Sequence, residues 1–215
     1  MKTPAYIGIA VVAAALGFGL YHFGLAPKTE QQPEAVAETT PVAESASGVP
    51  DTLPDFTLAD LDGTPRSIRS WQGKSMIVNF WATWCAPCRR EIPLLKKINS
   101  EHASEGFQVV GVAVDFRDDV LKYAKEIGID YPLLIGEQDG LEAVNQFGQG
   151  SLGFPFTVFT DNQQRIVMFH VGEIHTEQAP VFLDVVRKVN SGELSPAAAR
   201  AVAAKQLAEL APPNE

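Results

Sequence analysis

The stretch VNFWATWCAPCRRE, residues 78–91, constrains this chain more than any other. It holds both cysteines of the chain, Cys85 and Cys88, at C-x-x-C spacing. An apolar run from Met76 to Trp81 leads in, and a helical pattern from Arg89 to Ile98 leads out. The pair is therefore expected where a buried strand ends and a helix begins. The first N–H groups of a helix have no intrahelical partner and carry partial positive charge. A thiolate is stabilised there, so Cys85 is expected to titrate below the free-cysteine value of about 8.5. Cys88 follows about one turn later. It is expected to be more enclosed, yet close enough to attack a mixed disulfide formed at Cys85. Cys85 then reads as nucleophile, Cys88 as resolving thiol, and Cys85–Cys88 as a redox-active disulfide. Pro87 suits the first turn of a helix, where its missing N–H is no loss. Trp84 and Trp81 are expected to cover the edge of the site with apolar surface.

Other uses of such a pair fit less well. A c-type haem site requires His directly after the second cysteine, and Arg89 stands there. A structural zinc site requires two more ligands. His170 and His175 have a permitted gap, but they lie about 80 residues from Cys88 rather than the usual dozen or so. An inert structural disulfide is an alternative, although the start of a helix is an unusual place for one. No metal and no cofactor are expected. His22, His102, His170 and His175 suggest no catalytic cluster. The formal net charge of −9 makes nucleic acid an unsuitable partner. Two cysteines cannot form a disulfide scaffold.

Along the chain, residues 1–4 form a short basic start, expected to be cytoplasmic. Residues 5–25, AYIGIAVVAAALGFGLYHFGL, are apolar and carry no formal charge. As a helix they would span roughly 30 Å, the thickness of a bilayer core. A signal peptide has a shorter apolar core and an A-x-A-like cleavage site, so an uncleaved transmembrane anchor is expected. Residues 26–50 are rich in Ala, Pro, Glu and Thr and read as a disordered linker. Organised sequence occupies residues 51–192. Alternating apolar residues flank Asp62-Gly63, a β-hairpin signal. Strands are expected at Met76–Ala82, Phe107–Val114, Tyr131–Ile135, Phe156–Thr160 and Arg165–Val171. Helices are expected at Glu91–His102, Asp118–Ile127, Leu141–Phe147 and Thr176–Asn190. Buried strands alternating with helices, then a terminal hairpin, indicate α/β with a mixed sheet. Residues 193–215 form a C-terminal helical tail opened by Ser195-Pro196, with a thin apolar stripe of Val202, Leu207 and Leu210. That stripe suggests a peripheral or partly frayed extension rather than a docking helix for a partner.

From about Val49 to Asn190 the chain resembles the thioredoxin superfamily. It is most similar to the membrane-tethered TlpA-, ResA- and DsbE-like thiol–disulfide oxidoreductases. The matching residues are Trp84-Cys85-Ala86-Pro87-Cys88, the preceding Val78-Asn79-Phe80-Trp81, the pattern Pro54-Asp55-Phe56-Thr57-Leu58, and Gly153-Phe154-Pro155. The resemblance implies a thioredoxin-like fold: a central mixed β-sheet flanked by helices, with an N-terminal β-hairpin extension and an N-terminal transmembrane helix. It implies that Pro155 is a cis-proline facing the dithiol. It also implies that the backbone of Phe154 pairs with an extended substrate segment. Asn79 stands where thioredoxin has a buried Asp. Glu91 stands where the ResA- and DsbE-like branch has an acid near the dithiol, and is expected to tune Cys88 and pass its proton. Phe156 replaces a common Thr and is expected to narrow the substrate groove. Arg89 and Arg90 read as a solvated basic helix edge.

The resemblance further implies protein substrates with disulfides, a membrane electron donor of DsbD or CcdA type, and a catalytic domain in the periplasm on the inner membrane. The expected state is a monomer. The neutral Ala86-Pro87 pair resembles the Gly-Pro of thioredoxin, whose potential is about −270 mV. The expected activity is therefore disulfide reduction, on apocytochrome c or copper-site protein thiols. The alternatives are a disulfide oxidase or isomerase and, in a different class, a thiol-based module that handles copper. The P-x-x-x-[ST]-x-x-C pattern of peroxiredoxins is absent.

Overall fold

The computed structural model describes residues 48–148 and 153–210. Its seven strands form one mixed sheet in the order β2-β1-β5-β4-β3-β6-β7. The strands are β1 (Thr57–Asp60), β2 (Pro65–Ser67), β3 (Ser75–Trp81), β4 (Phe107–Val114), β5 (Leu133–Gly136), β6 (Phe156–Thr160) and β7 (Ile166–Val171). The helices are α1 (Ala86–His102), α2 (Arg117–Ile127), α3 (Gln138–Asn145), α4 (Ala179–Asn190) and α5 (Pro196–Leu210). β3, β4 and β5 run parallel, and β6 and β7 return antiparallel. β1 and β2 pair antiparallel at the far edge, where β1 lies against β5.

Alternation along the strands divides the core into two layers. Ile77 and Trp81 of β3, Val109 and Ala113 of β4, and Phe159 of β6 face α1, α2, α4 and α5. Met76, Val78, Phe80, Val110, Val112, Phe156 and Val158 face the other way, onto Phe56, Leu58, Ile68 and Phe147. β3 is buried at all seven positions, which accounts for its near-continuous apolar sequence. Its one polar member in the interior, Asn79, falls on the α1 side by the same alternation.

The C-terminal helix differs from expectation. α5 packs on α4 and β7 through Ala199 and Ala203, both fully buried, while Leu210 is exposed. Small side chains let the helix backbone approach closely. Arg200 then reaches the sheet edge and donates to the Ile166 carbonyl at 2.8 Å. The helix is docked rather than frayed over these residues. Among the described residues no helix is long and apolar enough to cross a membrane. The expected anchor at residues 5–25 and residues 26–47 of the linker lie outside them.

Trp81 reaches its position because β4 carries Gly111. A Cβ on Gly111 would lie 2.6 Å from Leu133 Cδ2 and 3.1 Å from Trp81 Nε1. Replacement of Gly111 by Ala is expected to destabilise the fold by about 1–3 kcal/mol, the usual cost of overpacking. Thermal unfolding should show a fall of several degrees; an unchanged melting temperature would show that the layer around Trp81 is loose.

Candidate active site

β3 ends at Trp81, four residues turn, and α1 begins at Ala86. Cys85 is the N-cap of α1, with extended backbone, and its Sγ accepts from the Cys88 N–H at 3.3 Å. The two cysteines are joined by a disulfide, with Cα atoms 5.3 Å apart. Cys85 retains 5% exposure and Cys88 none, so only Cys85 is open to an incoming sulfur. Ala86 and Pro87 place no charged or hydrogen-bonding side chain between them.

The loop that carries Cys85 is fixed by Asp115, which sequence reasoning did not single out. Its Oδ2 accepts from the Thr83 N–H at 2.8 Å and from the Thr83 hydroxyl, and its Oδ1 accepts from the Phe116 N–H at 2.8 Å. One carboxylate thus ties the β3–α1 turn to the β4–α2 turn. Its position directly after β4 was the available signal, because sites of open α/β sheets form at the carboxyl ends of parallel strands.

Glu91 lies one turn beyond Cys88 and is 1% exposed. Its Oε1 accepts from Asn79 Nδ2 at 2.8 Å, and its Oε2 accepts from the Ile174 N–H at 2.8 Å. Asn79 Nδ2 also donates to the Thr157 hydroxyl at 3.0 Å. Burial pushes the Glu91 carboxyl up to about 7; the Ile174 and Asn79 hydrogen bonds oppose this, and the nearby Glu173 charge adds to it. A carboxyl group in that range changes protonation near neutral pH, as a proton carrier requires.

The other anticipated residues fall as follows. The Phe154–Pro155 peptide bond is cis, and the Pro155 carbonyl accepts from the Gly172 N–H at 2.8 Å. Trp84 is 70% exposed and its ring lies 6.1 Å from that of Phe154. Trp81 does not cover the site edge with Trp84: it is fully buried in the α1-side core with both cysteines. Phe156 is also fully buried, stacked 4.3 Å from Phe80 in the layer away from α1. Alternation along β6 turns its side chain from the surface, so it cannot narrow a groove there. The two arginines do lie at a solvated edge, since both are exposed near the start of α1. Arg89 lies over the Tyr123 ring at 5.0 Å, and Arg90 binds both oxygens of Glu173.

Trp84, the neighbour of Cys85 in the chain, lines an open groove together with Phe116, Leu141, Phe154, Asp115 and Glu137. Phe116 is 63% exposed and Leu141 is 45% exposed. Neither residue stood out in the sequence. Phe116 offered one clue, as an aromatic residue in a turn between a buried strand and the acidic start of a helix.

The chain is similar to proteins whose names carry thiol–disulfide chemistry. The thiol-disulfide oxidoreductase ResA of Geobacillus thermodenitrificans is 28% identical over 180 residues, covering 83% of this chain and 92% of that protein. The thioredoxin-like protein YneN of Bacillus subtilis is 32% identical over 138 residues, covering 61% of this chain and 76% of that protein. Among solved structures, a thioredoxin-family thiol:disulfide interchange protein from Chlorobium tepidum superposes with a TM-score of 0.54 at 35% identity. That match covers 66% of this chain and 95% of the other. A thiol:disulfide interchange protein from a Bacteroides species superposes with a TM-score of 0.55 at 26% identity, covering 66% and 90%. The AhpC/TSA family model matches residues 49–169, which include the dithiol, Glu91 and Pro155, and the chain therefore belongs to the AhpC/TSA family in its thioredoxin-like form.

Proposed function

We propose that this thiol–disulfide oxidoreductase is a reductant of protein disulfides, tethered to the membrane by residues 5–25 and acting outside the cytoplasm. One observation carries the direction of electron flow. Ala86 and Pro87 offer no donor to a Cys85 thiolate, the guanidinium of Arg90 is paired with Glu173, and that of Arg89 is turned onto Tyr123. A strong oxidant needs its reduced form specially stabilised, and that extra stabilisation is missing here.

The reaction follows from the geometry. The Cys85 thiolate attacks one sulfur of a substrate disulfide, forming a mixed disulfide and releasing a substrate thiolate. Glu91, as carboxylate, takes the Cys88 proton. The Cys88 thiolate then attacks Cys85 Sγ, forming Cys85–Cys88 and releasing the second substrate thiolate. Glu91 afterwards loses its proton to water. In the reverse direction, when a donor of DsbD or CcdA type reduces the disulfide, Glu91 as acid protonates the departing Cys88 thiolate. Protein substrates suit the groove, because Trp84, Phe116 and Leu141 line it with apolar surface. The Phe154 backbone is available there for an extended segment. Thiols of apocytochrome c or of a copper-site protein are the substrates implied by resemblance.

Equilibration of the full-length protein against glutathione and dithiothreitol buffers should give a potential of about −250 mV or lower, whereas about −120 to −180 mV would identify an oxidant or isomerase. The rate at which the reduced protein recloses its disulfide on a substrate should rise with pH through about 7, as Glu91 becomes ionised. Replacement of Glu91 by Gln should remove that limb and slow reclosure roughly a hundredfold above pH 7. An unchanged profile and an unchanged Cys88 titration would reject the role of Glu91. Phe116→Ser should raise KM for a protein disulfide several-fold and leave the reaction with oxidised dithiothreitol unaltered; equal effects on both would remove the groove from substrate binding.

A further inference from the structure

Residues Gly172, Glu173 and Ile174 follow β7 and form a short strap over Glu91. Gly172 has φ +106°, a conformation that suits glycine, and lets the chain turn back there. Two consecutive strap residues are bound by two consecutive residues of α1. The Ile174 N–H donates to buried Glu91. The Glu173 carboxylate receives Arg90, with Nε at 2.9 Å and Nη2 at 2.5 Å from Oε2. His170 Nε2 lies 3.4 Å from the Glu173 carbonyl. The Glu173 side chain is 15% exposed and that of Arg90 is 61% exposed. The ion pair thus sits at the outer rim and Glu91 just beneath it.

We propose that Arg90 and Glu173 form a latch that holds the Gly172–Ile174 strap over Glu91, and so control when this carboxyl group exchanges its proton with water. The inference rests on the role of Glu91 proposed above. Each turnover in the reducing direction leaves one proton on Glu91, and that proton must reach solvent before the next cycle. Glu91 itself is 1% exposed, and the strap forms part of its cover. Loss of the latch frees Glu173, and with it the N–H of Ile174. The charges around Glu91 are distributed so that the latch also matters electrostatically. On α1, Arg90 is cationic, and the Cys88 thiol is one turn back. On the strap, Glu173 is anionic, and His175 follows. On β7, His170 is held below its ordinary range, chiefly by burial. The Tyr131 hydroxyl is pushed up, chiefly by burial and next by the Glu91 charge, and stays neutral. Glu173 is thus the anion nearest to Glu91, and Arg90 neutralises it. Arg90 and Glu173 are positioning residues, since neither touches a sulfur.

Two measurements on full-length protein test the latch. The first is hydrogen exchange at the Ile174 amide in the oxidised form. Arg90→Gln and Glu173→Gln should each speed it by roughly two- to fivefold, the loss expected from a partly exposed ion pair. Arg90→Lys, which keeps the pair, should stay near the wild-type rate. The second is the pH midpoint of disulfide reclosure. Both Gln variants open the strap, but they leave opposite charges beside Glu91. Glu173→Gln should lower the midpoint, and Arg90→Gln should lie above Glu173→Gln by about half a pH unit or more. A static pair that acts on Glu91 by charge alone would split the midpoints without faster exchange at Ile174, and unaltered exchange at Ile174 overturns the latch. Glu91→Gln separates the two inferences. If the limb persists without Glu91, the base has been misassigned and the latch has nothing to gate. If the limb disappears with Glu91 but exchange at Ile174 is unaltered in both latch variants, only the latch fails.

Discussion

The junction between β3 and α1 sets the terms for the rest of the structure. Cys85 caps α1, and Cys88, three residues on, shares a helix face with Glu91, Ile92 and Leu95. Once that face is turned to the core to enclose Cys88, Glu91 is buried with it. A buried carboxyl group without partners would cost several kcal/mol. The fold therefore has to bring two donors to one point: Asn79 from the middle of β3 and the Ile174 amide from beyond β7. Enclosing the resolving thiol and burying an acid one turn away are thus a single geometric decision. The raised proton affinity of Glu91 is its chemical product.

The sheet also bears on the second half of the site. β6 must run antiparallel beside β3 for Thr157 to lie opposite Asn79, and their side chains are hydrogen-bonded. That pairing places the Phe154–Pro155 bond at the end of β6, level with the carboxyl end of β3. Asp115 completes the arrangement from β4. Three neighbouring strands therefore each deliver one part: the dithiol turn, the proline turn, and the carboxylate that holds the dithiol turn in place.

Much of this was legible in the sequence where a residue's surroundings are uniform. β4 is buried on both faces, and its apolar run, Phe107–Val114, matches the strand end to end. α4 was read as starting at Thr176 but begins at Ala179, because His175 to Gln178 form a turn in which Gln178 accepts from the His175 N–H. Pro180 then fills the first helical turn. In α5 apolar periodicity finds Val202 and Leu207, which pack partly buried against the core, but gives no weight to Ala199 and Ala203, the two residues that are fully buried. The side assigned to Phe156 was missed for a related reason. A five-residue strand buried at every position, with Thr157 and Thr160 on opposite faces, gives no regular alternation from which to read facing. The contacts that define Glu91 were beyond sequence reading altogether. Its two donors lie 12 residues before it and 83 residues after it, and neither has a spacing that periodicity can detect.

The arginines show why composition near a site is a poor guide to its electrostatics. Two cations directly after Cys88 would seem to favour thiolates, but a charge acts according to where its side chain ends and what it is already paired with. Arg89 is turned onto Tyr123, which lies near Trp81 in the α1-side layer. Arg90 is held by a carboxylate that would otherwise disturb Glu91. The field of the helix terminus acts most strongly on Cys85 at its cap and weakens within the first turn. Cys88 is deeper and lies beyond the strongest part of that field. The asymmetry between the two sulfurs thus comes from backbone and burial, and Arg90 bears on buried Glu91 through Glu173 while Arg89 is turned onto Tyr123.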